Sequence, residues 1–315
     1  MLDNDKVKEV LEDVGWSKII EVVAETFIEE AEGRTVSPAK MIMDIPEYEN
    51  DYRVMPSCML KYPYCGTKII SANSGNRKRG LPLAIGSYIL NDVITQESLL
   101  CCRAEEITAY RTAAATAVAV DELSREDSKI LGIIGVGKQA YYHIPAILSV
   151  RKGIEKIYVN DINERNIDWD VLQNFPVKVY GTHKEILLKE SDIVVTLTPT
   201  REPHIFKEDI DFDREMMIAA VGGDSEHKIE IHEEVLPMVD HFSDSYLQVS
   251  HTGIVHRAIK DGLMKIGDLK SLGDYMIGKA GIYEGKKVKM YLSTGVALQD
   301  LAMSRLIYEN IGKYL

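Results

Sequence analysis

Cysteine is scarce in this chain of 315 residues, and its spacing suggests no pairing. The four are Cys58, Cys65, Cys101 and Cys102. None forms a C-x-x-C, and adjacent cysteines do not readily bridge each other. That excludes a disulfide scaffold and points to reduced thiols in a cytoplasmic protein, with Cys101 and Cys102 read as buried packing residues. Excess positive charge is also lacking. Lys and Arg number 37 against 49 Asp and Glu, a formal net charge of −12, so neither nucleic acid nor a membrane surface is expected as a partner. Long apolar runs are absent too. Nothing approaches the roughly 18 consecutive apolar residues of a spanning helix, and the opening MLDNDKVKEVLEDVGW lacks a signal-peptide core. Histidines at metal-ligand spacing are missing: neither His227 with His232 nor His251 with His256 gives an i, i+4 pair, so no metal is expected.

What is present is a globular composition, long enough for two domains. Residues 5–33 read as helices, with Ile20, Val23, Phe27, Ile28 and Ala31 on one face, glutamates of residues 21–32 on a solvated face, and Gly33 as a stop. Residues 38–103 carry short apolar runs (Lys40–Ile45, Thr67–Ser71, Leu83–Leu90) between Pro, Gly and Asn clusters, which predicts an antiparallel sheet. Residues 104–124 are alanine-rich and helical. From about residue 128 the pattern is α/β: KILGIIG reads as a buried strand, and KIYVND, VKVYG, SDIVVTLT and EMMIAAVGG as four more, alternating with polar helical stretches, the signature of a parallel sheet covered on both faces. The last 21 residues, from Gly295, form a helix with Val296, Leu298, Leu301, Ala302 and Leu306 as its apolar positions. It can pack on the N-terminal region.

The strongest local signal is Gly135-Val136-Gly137-Lys138-Gln139-Ala140, a G-x-G-x-x-A directly between a strand and a helix. Gly135 permits the tight turn, Gly137 lets the backbone approach a pyrophosphate, and Ala140 keeps the helix close to the sheet. The helix N-terminus offers free N–H groups to phosphate. Asp161 ends the next strand, 26 residues after Gly135, close to the expected interval of about 20. A carboxylate there accepts from ribose hydroxyls and repels a 2′-phosphate, which favours NAD over NADP. Thr198 and the run Val221-Gly222-Gly223-Asp224 end two further strands, where ligands of open parallel sheets bind. Asp224 itself fits two readings equally, a site carboxylate or a helix N-cap.

Among the cations of the N-terminal half, Lys40, Arg53, Lys68 and Arg111 are well spaced. Lys68 and Arg111 sit among apolar neighbours, where an unpaired cation is costly. A convergent cation set suits a small carboxylate. Taken by spacing alone, Lys40 also fits a surface charge.

Over essentially its whole length the sequence resembles the ornithine cyclodeaminase/mu-crystallin family. The matching blocks are Pro38-Ala39-Lys40, Arg53-Val54-Met55-Pro56, Gly66-Thr67-Lys68, Asn73-Ser74-Gly75-Asn76 with Gly80-Leu81-Pro82, and Arg111-Thr112-Ala113-Ala114. The glycine motif, Val221-Gly222-Gly223-Asp224 and Ser293-Thr294-Gly295 with Gln299-Asp300 complete the set. The resemblance implies an α/β fold with a Rossmann NAD-binding domain over 119–294. It also implies an α+β substrate and dimerisation domain built from 1–118 and 295–315, forming a homodimer through a shared β-barrel. It places Lys68 and Arg111 on the substrate carboxylate, makes Lys68 and Asp224 the catalytic pair with Asp224 at the substrate amine, and adds Thr112 and Gln139 to the cofactor contacts Gly135, Gly137, Ala140, Asp161, Thr198, Val221 and Gly222.

Two positions separate the branches. Cyclodeaminases carry a glutamate where this chain has Arg53, and usually an arginine where it has Lys40. Swapping carboxylate for guanidinium reverses the charge and disfavours a diamino acid. The Lys40–Arg53 pair resembles the alanine dehydrogenase branch. The expected activity is therefore NAD-dependent, reversible oxidative deamination of a small L-amino acid to its 2-oxo acid. Ornithine cyclodeamination, ketimine reduction and a nucleotide-binding protein with little catalysis are the alternatives.

Overall fold

The computed structural model describes residues 1–223, 228–250, 253–279 and 285–314. The chain divides into two compact units, Met1–Thr112 with Val296–Leu315, and Ala113–Gly295.

The first unit opens with helices α1 (Asn4–Val14) and α2 (Trp16–Ala31). Asp3 caps α1 by accepting from the Lys6 N–H, and Gly33 follows α2 with φ +71°, a conformation glycine adopts without strain. The buried stripe of α2 is Ile19, Ile20, Val22, Val23, Thr26 and Phe27, shifted from the predicted one: Ile28 and Ala31 are only partly covered. Glu29 departs from the expected solvated face. It is 3% exposed because Arg34 grips it with two hydrogen bonds of 2.8 Å.

Six strands follow: β1 (Thr35–Val36), β2 (Met41–Ile45), β3 (Asn50–Met59), β4 (Tyr64–Ala72), β5 (Ala84–Asp92) and β6 (Ser98–Arg103). They form an antiparallel sheet in the order β1-β3-β4-β5-β6, with β2 also on β3. The side chains alternate in burial. Met55, Ser57, Lys68, Tyr88, Leu90 and Cys102 lie on the covered face. The C-terminal helix, Ala297–Asn310, packs across β3 to β6 and against α2. Cys102 is buried as expected, but Cys101 is exposed, because consecutive strand residues face opposite sides.

Helix α3 (Glu105–Leu123) contains the division between the units. The second unit holds β7 (Ile130–Ile134), β8 (Lys156–Asn160), β9 (Lys178–Gly181), β10 (Ile193–Thr196), β11 (Met216–Ala220), β12 (Asp240–Ser243), β13 (Lys270–Ser271) and β14 (Val288–Leu292). All pairings are parallel, in the order β13-β12-β14-β11-β10-β7-β8-β9. Every residue of β10 and β11 is buried, which is why they read as continuous apolar runs. The strand order reverses between β7 and β10, and ligands of such sheets bind at that switch point, outside the carboxyl ends of the strands. Helix α4 (Ala140–Val150) leaves the carboxyl end of β7 there.

Candidate active site

In the first unit, β-strand alternation puts Lys68 on the covered face, opposite Met55 on β3 and Tyr88 on β5. A lysine 1% exposed needs a counter-ion. Asp300, from the C-terminal helix and fully buried, supplies it: Oδ2 lies 2.7 Å from Lys68 Nζ. The other oxygen, Oδ1, lies 3.3 Å from Arg111 Nε, and Arg111 Nη1 donates to Gln299 Oε1 at 3.4 Å. Two buried cations thus share one carboxylate, leaving the cluster one positive charge in excess. Burial lowers the Lys68 pKa to about 8; Asp300 opposes that shift, and the positive charges of Arg111 and Lys40 add to it. Such a cluster is built to receive an anion.

The other two predicted cations are placed differently. Arg53, on β3, is held by Asp51, with Nε and Nη2 at 2.9 and 2.6 Å from Oδ2. Its charge is therefore balanced within its own strand. Lys40 is half-buried and immediately precedes β2. Thr112 donates its hydroxyl to the Thr108 carbonyl at 2.6 Å, within its own helix.

The second unit carries the glycine loop. Gly135 has φ +93°, and a Cβ there would fall 2.8 Å from Thr198 Cγ2, so no side chain fits. A Cβ on Gly137 would meet nothing within 4 Å, which leaves the backbone open to an approaching pyrophosphate. Ala140 is fully buried at the start of α4, and Gln139 Oε1 is buried without a hydrogen-bond partner beside the loop. Asp161 follows β8. Its Oδ2 accepts from the Val136 N–H at 2.8 Å and its Oδ1 from the Asn163 N–H at 2.9 Å, so the carboxylate is fixed against the glycine loop. Thr198, Val221 and Gly222 follow β10 and β11 at the carboxyl edge of the sheet. The residues present thus fit a dinucleotide. Asp224, His227 and His251 lie outside the described residues. Among the described residues, no group of three or more His, Cys, Asp or Glu could hold a metal ion, and no helix is long and apolar enough to cross a membrane.

Three residues of these clusters were not singled out as site residues from the sequence. Asp300 and Gln299 sit in a helix buried nearly all round, where polar residues among Leu298, Leu301 and Ala302 are themselves a signal. Glu230, between Ile229 and Ile231, is 3% exposed and accepts hydrogen bonds at the ends of β10 and β11.

Fold and site together define a two-unit, dinucleotide-dependent oxidoreductase of the α/β class. A model of the ornithine cyclodeaminase/mu-crystallin family matches residues 3–314, and the chain belongs to that family. It is 28% identical over 310 residues to an alanine dehydrogenase of Archaeoglobus fulgidus, covering 94% of this chain and 91% of that protein. Two solved structures superpose closely. An archaeal alanine dehydrogenase dimer with bound NAD has a TM-score of 0.92 at 27% identity, covering 100% of this chain and 96% of that one. The Δ1-pyrroline-2-carboxylate reductase of Thermococcus litoralis, in complex with NADH and L-proline, has a TM-score of 0.91 at 28% identity, covering 99% and 97%.

Proposed function

We propose that this chain is an NAD-dependent oxidoreductase that interconverts a small L-amino acid with its 2-oxo acid and ammonia. The observation that carries the reading is the buried Lys68–Asp300–Arg111 cluster with its excess positive charge. Support for NAD comes from the glycine loop, from Asp161 fixed beside it, and from the two relatives solved with NAD or NADH. When bound, the cofactor accepts hydride from the substrate Cα. The substrate carboxylate pairs with Arg111, aided by Lys40 and Arg53. Lys68 stabilises the carbinolamine or carbonyl oxygen, and its pKa near 8 lets it give and take a proton close to neutrality. Asp224 acts at the substrate amine. Arg53, paired with Asp51, offers no carboxylate of its own to a second ammonium group, which argues against ornithine. The cofactor contacts are assigned to Thr112, Gly135, Gly137, Gln139, Ala140, Asp161, Thr198, Val221 and Gly222. The assembly is a cytoplasmic homodimer formed through the antiparallel sheet.

A second reading, reduction of a cyclic imine carboxylate, is favoured by the likeness to the proline-bound reductase. The same cluster would hold that carboxylate. The test measures NADH formation from NAD⁺ with a panel of L-amino acids, NADH consumption with Δ1-pyrroline-2-carboxylate, and proline release from ornithine. Net NADH with alanine or another small amino acid supports the main reading. NADH consumption on the cyclic imine alone selects the second. Proline and ammonia from ornithine without net NADH makes the chain a cyclodeaminase and refutes the charge argument at Arg53.

A further inference from the structure

Glu230 is a buried carboxylate for which the reaction above has no use. It lies in the segment Lys228–His232, held beside the loop after β10 by the Ile229 N–H to Thr200 O (2.9 Å) and His204 N–H to Glu230 O (2.9 Å). Its side chain reaches both strand ends. Oε1 accepts from the Thr198 N–H at 2.6 Å and the Thr198 hydroxyl at 2.7 Å. Oε2 accepts from the Gly222 N–H at 2.7 Å and the Thr196 hydroxyl at 2.8 Å. The approach is so close that a Cβ on Gly222 would fall 2.6 Å from Glu230 Oε1 and 2.2 Å from the Thr198 carbonyl.

We propose that Glu230 is a positioning residue for the dinucleotide. Its carboxylate ties the loops after β10 and β11 together, so that the backbone at Thr198 and Gly222 is set before the cofactor arrives. This rests on the NAD reading. The two oxygens are not interchangeable with an amide, because each receives a backbone N–H. Backbone donors cannot turn round as hydroxyls can. In Glu230→Gln, either orientation of the amide sets an NH₂ group against a backbone N–H and opens one loop. Burial raises the Glu230 pKa, and the four donors oppose that rise.

The experiment compares wild type with Glu230→Gln by NADH fluorescence titration, amide hydrogen exchange at Thr198 and Gly222, and steady-state kinetics. The expected result is a rise of about tenfold in NADH Kd and in KM for NAD, with faster exchange at those two amides. At saturating NAD, kcat and the KM for the amino acid stay within about threefold. A Gln variant whose exchange quickens or whose melting temperature falls while its NADH affinity holds would overturn the proposal, since the carboxylate would then serve the fold alone. Should Glu230→Gln fail to fold, Thr196→Val removes one donor to Oε2 and leaves the carboxylate in place. It should weaken NADH binding by about two- to fivefold, and unchanged binding counts against the proposal. If wild type binds no NADH, the NAD reading itself fails; if it binds NADH and both variants match it, only the role of Glu230 fails.

Discussion

Lys68 and Arg111 share one buried carboxylate, and burial, opposed by that carboxylate, sets the proton affinity of Lys68. With its pKa lowered to about 8, Lys68 is charged below that pH and neutral above it. Oxidative turnover that needs a neutral base should therefore rise through about pH 8, and the reductive direction should fall there. Asp300 favours the charged form, so Asp300→Asn lowers the pKa further. The inflection in kcat/KM should then move to lower pH, a shift read directly from the pH–rate profile. Leaving two cations without their carboxylate should also cost about 3–5 kcal/mol of stability, visible as a lower denaturation midpoint. An inflection that stays put means that another group titrates. Lys68→Met should abolish turnover while NADH Kd stays at the wild-type value; surviving turnover removes Lys68 from the chemistry. At this scale the sequence displayed Lys68 and Arg111 but hid their partner. A cation among apolar residues announces a missing counter-charge, yet Asp300 is more than 180 residues from either, and only the packing of the C-terminal helix on the sheet joins them.

The glycine loop separates two jobs that one motif combines. Gly135 is conformational: φ is +93° and a side chain would strike Thr198 and Leu197. Gly135→Ala should lower stability and dinucleotide affinity together. Gly137 is a matter of access, with open space where its Cβ would point. Gly137→Ala should leave the melting temperature within about 2 °C, because filling open space strains nothing, while NADH Kd rises by about tenfold or more. The pair is measured by thermal melts alongside NADH titration, and a matched fall in both properties for Gly137→Ala would refute the distinction. This loop and the strands β7, β10 and β11 were legible because buried parallel strands are uninterrupted apolar runs. The strands β12 and β13 were not. Asp240–Ser243 and Lys270–Ser271 are short and mostly polar, and they gain strand structure by pairing, β12 with β14 and β13 with β12. The helix α2 was legible as a helix but not in its exact face, because Glu29 is carried inside by Arg34 rather than by any apolar period.

Across the first unit, the antiparallel sheet has one face under the C-terminal helix and one without such cover. The uncovered face carries apolar side chains among its polar ones. Val54, Ile69, Ile89 and Leu99 lie on it half-buried, and Met41 of the neighbouring strand β2, paired with Val54, and Met43 are exposed at 61% and 52%. Apolar side chains on an uncovered sheet face suit an interface, and a second copy of the same sheet is the simplest cover. The expected mass in solution, by light scattering after size exclusion, is twice 35.4 kDa. Val54 pairs with Ile69 and Thr67 with Ile89, so both isoleucines lie near the middle of the face. In a dimer they lose contact with water, and a glutamate at either position buries a charge against its own symmetry mate. Ile69→Glu combined with Ile89→Glu should therefore give a monomer. Because the face is only half-buried in the single chain, the substituted protein should keep its far-ultraviolet circular dichroism. It should also bind NADH as wild type does, since the second unit supplies the glycine loop. A doubly substituted protein that still sediments at twice the chain mass would place the interface elsewhere on the molecule. A wild type that runs as a monomer at micromolar concentration would mean that the apolar sheet face stays exposed to water.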